Sequence, residues 1–143
     1  MDAMNNEFKI TRKIFRIANH LVNERNNDVR AFSITAKQSD ALQFFNTHTG
    51  ASASGLKGHL GISHQAARNL VERMKKSGLL HVAVSDEDAR YRSVCLTEKG
   101  KRLCDDLKQY SMQRGDQLLA GFSGEELDQL MVFLDRISAN LDS

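Results

Sequence analysis

The chain of 143 residues has no proline. Proline removes a backbone donor and breaks helices, so its absence, together with only short β-branched runs, predicts a mainly helical protein. Also lacking is any uninterrupted apolar run near the roughly 18 residues that a membrane helix needs, so no membrane partner is expected. The opening segment MDAMNNEFKITRK carries no apolar signal core, which points to a cytoplasmic location. Cysteine is scarce. Cys95 and Cys104 cannot form a disulfide framework, and a reducing compartment is the simpler reading. No phosphate loop, no GxSxG, no HExxH and no cysteine pair at metal spacing occurs, so neither catalysis, cofactor nor metal is expected.

A strong charge of one sign is lacking too, since the net charge is only +2. Its distribution is uneven. Residues 57–92 carry seven Lys/Arg against four Asp/Glu, with His59, His64 and His81 besides, whereas residues 125–143 carry one Arg against five acids. A basic middle suits contact with phosphate, and an acidic end suits protein or water.

What is present is organised around Leu56–Thr97. A short helix capped by Ser52 and reaching about Leu60 leads into a turn at Gly61. Ser63 caps a second helix that runs to Ser77 and stops at Gly78. Two strand-like runs, 79–84 and 91–96, follow, separated by a polar loop at 85–90. Helix, turn, helix and hairpin make a winged helix-turn-helix, a shape suited to the DNA major groove. In the second helix Ala67, Leu70, Val71 and Met74 form the inward face, which turns His64, Gln65, Arg68 and Asn69 outward. Glutamine and asparagine can read adenine bidentately, and arginine guanine. Gly55 and Gly58 make the first helix of the motif its weakest element locally.

The flanks are helical. Residues 5–25 carry an apolar stripe at Ile10, Ile14, Ile17, Ala18 and Leu21 and a second at Phe8, Phe15 and Val22, before Asn26-Asn27-Asp28 reads as a loop. A helix begins at Ile34-Thr35, with Gln38 placed for a capping box, has Ala41, Leu42 and Phe45 inward, and ends at Thr49-Gly50. A long helix is expected from Glu98 to about Leu119. A last helix, entered through a capping box of Ser123 and Glu126, carries Leu127, Leu130, Met131, Leu134, Ile137 and Leu141.

Taken in order, Ile34-Thr35-x-x-Gln38, Leu60-Gly61-Ile62-Ser63, Lys76-Ser77-Gly78-Leu79-Leu80, Asp88-Ala89-Arg90 and Leu96-Thr97-Glu98-Lys99-Gly100 resemble the MarR family of winged-helix transcription regulators. The resemblance covers almost the whole chain. It implies a mainly α fold with a small β-hairpin wing, in one compact domain. An N-terminal dimerisation helix (1–30) would precede a winged helix-turn-helix (31–100), with C-terminal dimerisation helices (101–143) after it. It further implies a homodimer that binds an inverted-repeat operator in double-stranded DNA, usually as a repressor, and often releases it on binding a small-molecule effector. Carried onto this chain, the DNA-facing positions are Ser63, His64, Gln65, Arg68, Asn69 and Arg73. Arg90 matches the wing arginine that enters the minor groove, with Arg92 beside it in the hairpin, and Asp88 matches the acid that orients Arg90. His20, Phe44, His48 and Tyr110 are candidate effector-pocket residues. The chain departs from the pattern at Val82 and Ala83, where relatives often carry arginine, and at Asp86, where a wing proline is common and whose absence predicts a looser tip. Val82, Ala83 and the modest net charge motivate an alternative: a winged-helix protein-interaction module that has lost DNA binding.

Overall fold

The computed structural model describes residues 3–88 and 90–142. Its elements run α1 (Ala3–Ala31), α2 (Ala36–Thr47), α3 (Ala53–Leu60), α4 (His64–Lys76), β1 (Leu80–Val84), β2 (Arg92–Leu96), α5 (Glu98–Leu118) and α6 (Gly124–Leu141). They fall into two compact units, Met1–Gln109 and Tyr110–Ser143, with the boundary inside α5.

In the first unit the sequence signals act locally. Thr35 and Gln38 close the capping box of α2: Thr35 Oγ1 accepts from the Gln38 amide at 3.1 Å and Gln38 Oε1 accepts from the Thr35 amide at 3.0 Å. Ser63 caps α4 by accepting from the Ala66 amide at 3.1 Å. Gly61 takes the left-handed conformation between the two helices of the motif, at φ 63°. The core these helices share has Leu42, Leu56, Met74 and Leu80 fully buried at its centre, with Phe45, Val71, Val94 and Leu107 around them.

Two local expectations are corrected. Asn26-Asn27-Asp28 is not a loop, because α1 continues to Ala31. Val29 buries all but 3% of its surface, and Arg30 donates to Asn26 O and Asn27 Oδ1, so packing and side-chain bonds outweigh poor propensity. The Arg25 guanidinium also reaches across to Asp40 and the Ala36 carbonyl on α2. Ser52 holds the extended N-cap backbone of α3, but its side chain makes no capping bond.

The two glycines of α3 differ. A Cβ at Gly55 would lie 3.3 Å from Phe44 Cζ, so this position lets α3 close onto α2. A Cβ at Gly58 would meet nothing within 4 Å. Gly58→Ala is therefore expected to stabilise the protein by about 0.5–1 kcal/mol, read as a higher urea midpoint, by restricting the unfolded chain. An unchanged or lowered midpoint would show that α3 is not helical at Gly58 in solution.

The hairpin pairs antiparallel, with Leu80 opposite Leu96, Val82 opposite Val94 and Val84 opposite Arg92. Its base interlocks two of the motifs noted above. The Thr97 amide donates to Leu79 O at 3.1 Å, and its hydroxyl donates to Gly78 O while accepting from the Gly100 amide at 3.0 Å. Lys99 Nζ donates to Ser77 O at 2.9 Å, capping the end of α4. A Cβ at Gly100 would lie 2.2 Å from Leu79 O, so α5 starts against the turn that leaves α4.

In the second unit Ser123 and Glu126 form the expected capping box of α6. The Ser123 backbone amide, then its hydroxyl, hold the Glu126 carboxyl below its ordinary range. No residue of α6 is buried, and Met131, Val132, Phe133 and Leu134 are exposed. In the first unit, α1 likewise leaves Phe8, Ile10, Phe15 and Val22 more than half exposed.

Candidate nucleic-acid interface

Because α4 buries Ala67, Val71 and Met74, helical geometry turns His64, Gln65, Arg68 and Asn69 outward, and all four are exposed. They line an open groove between α4 and the hairpin, together with Arg90 and Arg92 from the wing and Ser52–Ser54 at the start of α3. The structure thus brings together six of the nine expected contact residues. Of the other three, Ser63 spends its acceptor on the α4 cap and keeps a hydroxyl hydrogen to donate. Arg73 is exposed but does not line this groove, and Asp88 lies in the wing loop.

Asp88 acts through the backbone. Its Oδ1 accepts from the Arg90 amide at 2.9 Å and its carbonyl accepts from the Tyr91 amide at 3.0 Å. Asp88 forms no ion pair with the Arg90 guanidinium among the described residues, and the acid instead shapes the turn that carries Arg90. At the other end of the loop Ser85 Oγ accepts from the Glu87 and Asp88 amides at 3.2 and 3.3 Å. These serine and aspartate bonds hold backbone amides on either side of Ala89 without proline. Ala89, between the two, lies outside the described residues.

The wing is also tied to the body of the unit. The Tyr91 hydroxyl donates to Gly50 O, and the Val94 amide donates to Ala51 O at 2.8 Å. Tyr91 lines the groove and went unnoticed in the sequence, since its partner lies 41 residues away. Glu72 and Lys75 line it too; their spacing of four and seven from Arg68 places them on the same face. Arg68, Arg90 and Arg92 form no ion pair among the described residues, which leaves three guanidinium groups available to an anion.

Of the candidate effector residues, Phe44 and His48 meet. Phe44 is buried and stacks on His48 with ring centroids 4.4 Å apart, and the His59 ring centroid lies 4.9 Å from that of Phe44. His20 pairs with Glu24 along α1 at 3.0 Å, and Tyr110 belongs to the second unit.

Of the thiols, Cys95 is half-buried and Cys104 is buried. Burial pushes the Cys104 thiol up, Asp105 adds to this and Lys108 opposes it. Thiolate is the reactive form, so in native protein near pH 8 Cys104 is expected to react with a disulfide reagent at least about tenfold more slowly than in denatured chain. Equal rates in the two states would show that the α5 site opens freely.

Comparison with known proteins agrees with this geometry. Residues 32–90, from the end of α1 to the wing arginine, match the sequence model of the MarR family. A MarR family protein from Bacillus stearothermophilus superposes with a TM-score of 0.86 at 19% identity, covering 100% of both chains. A MarR/EmrR family transcriptional regulator from Acinetobacter sp. ADP1 gives 0.72 at 23% identity, covering 95% of this chain and 96% of that one. MepR of S. aureus in a complex with DNA gives 0.70 at 21% identity, covering 90% and 94%. Residues 32–90 thus carry the sequence signature of the MarR family, within a chain whose fold is that of the MarR winged-helix transcriptional regulators.

Proposed function

We propose that this chain is a homodimeric, sequence-specific DNA-binding regulator of transcription, a repressor relieved by a small ligand, with no catalytic activity of its own. The observation that carries the reading is the groove between α4 and the wing, where Arg68, Arg90 and Arg92 form no ion pair among the described residues. The N-terminal half of α4 enters the major groove, and the wing places Arg90 in the minor groove, whose negative potential suits a guanidinium. The MarR-family match over this segment, and the likeness of the fold to DNA-bound MepR, support it.

Dimerisation is supported by the apolar faces of α1 and α6, each uncovered within its own unit. Monomeric proteins rarely leave contiguous apolar faces of this kind in water, and we assign them to a second copy of the chain. The two recognition helices would then meet half-sites about one helical turn apart. Effector binding is assigned to the Phe44–His48 stack, where the exposed His48 ring offers a planar effector a partner at the end of α2.

The test is binding to duplex DNA from upstream of the protein's own gene at two salt concentrations. We expect two chains per duplex and an affinity that falls steeply with salt, because phosphate contacts release counterions. Absence of salt-dependent binding would favour the protein-interaction module, the reading that Val82 and Ala83 favour because neither can grip phosphate from β1.

A further inference from the structure

Gln65 and Asn69 lie one turn apart on the exposed face of α4, and both line the groove. The Gln65 side-chain amide Nε2 donates to Asn69 Oδ1 at 2.9 Å. An amide nitrogen carries two hydrogens and an amide oxygen two lone pairs. The bond to Asn69 takes one hydrogen of Gln65 and fixes the plane of its amide. Gln65 keeps one N–H beside Oε1, which accepts no bond among the described residues, a donor next to an acceptor. Adenine offers the complement in the major groove, the N7 acceptor beside the N6 donor, whereas guanine offers two acceptors. Asn69 keeps one Oδ1 lone pair and both Nδ2 hydrogens, but Gln65 lies one turn nearer the N-terminus of α4, the end assigned above to the major groove.

We propose that Gln65 and Asn69 form a single adenine-reading unit, in which Gln65 touches the base and Asn69 is a positioning residue that holds the Gln65 amide in register. The proposal rests on the DNA-binding reading above and divides labour between two side chains that spacing alone treats as equivalent. An unsupported glutamine has three torsions to order and an amide free to flip, which reverses the sense of donor and acceptor. The bond to Asn69 restrains both before DNA arrives.

The experiment is selection of bound duplexes from a randomised DNA library by the full chain and by Gln65→Ala, Asn69→Ala and Asn69→Asp, followed by sequencing. Gln65→Ala identifies the base pair in question as the one whose adenine preference it abolishes. Asn69→Ala is expected to lower the adenine preference at that same pair by roughly tenfold, the order of discrimination a bidentate contact provides, with preferences elsewhere in the half-site retained. Asn69→Asp keeps the acceptor oxygen and is expected to retain the adenine preference while binding all duplexes more weakly. An unchanged preference in Asn69→Ala, or loss of the preference in Asn69→Asp, overturns the pairing and leaves DNA binding standing. Failure of the wild-type chain to enrich any duplex overturns both. Both side chains are exposed, and circular dichroism of each variant confirms that it remains folded.

Discussion

Gly100→Ala is expected to destabilise the protein by at least about 3 kcal/mol and to lower its melting temperature by about 10 °C. The new Cβ would sit 2.2 Å from Leu79 O, a backbone atom, so no side-chain rotation relieves the overlap. The same carbonyl accepts from the Thr97 amide at 3.1 Å, and Thr97 in turn holds Gly78 and Gly100. Moving any one of these groups disturbs the rest, so the strain spreads into the turn leaving α4 and the base of the hairpin. The wing is carried by that base, and a variant that does fold should also bind DNA less well. A melting temperature unchanged by the substitution would mean that α5 can start elsewhere, and that the tight approach at Gly100 is not needed.

Arg90→Ala is expected to lower affinity for the operator by roughly 100-fold in the proposed dimer, from about 1.4 kcal/mol at each of two wings. Arg90 is exposed and makes no ion pair among the described residues, so alanine removes nothing the fold depends on. Its backbone is set by Asp88, and the wing that carries it is fastened to the α2–α3 loop through Tyr91 and Val94. A guanidinium presented from an anchored loop loses little freedom on entering a narrow groove, which is why its removal should matter. A gel-shift titration indistinguishable from wild type would sink the assignment of the wing to DNA.

Much of the fold was legible because its signals are local. The capping boxes at Thr35–Gln38 and Ser123–Glu126 each span three residues, so the residue types and their spacing suffice to place the helix starts. The outward face of α4 follows from helical periodicity, and with it four of the groove residues, whereas Glu72 and Lys75 needed only the same spacing carried further. Where the reading failed, the deciding partner was distant or the local signal was incomplete. Asn26-Asn27-Asp28 reads as a break until Val29 is seen to pack into the core. Ser52 has the right type and backbone for a cap, yet its hydroxyl makes no bond to the helix.

By itself, then, the sequence determined the capped starts of α2, α4 and α6 and the side of α4 that meets solvent, since hydrogen bonds and apolar periods within a few residues govern these. Only the tertiary structure decided where the wing stands relative to α4, because its ties run from Tyr91 to Gly50, Val94 to Ala51, and Thr97 to Leu79. It also distinguished the glycines: Gly55 faces Phe44 and Gly100 faces a carbonyl, while Gly58 faces open space. Those differences arise from atoms brought together by folding, which no window of neighbouring residues contains.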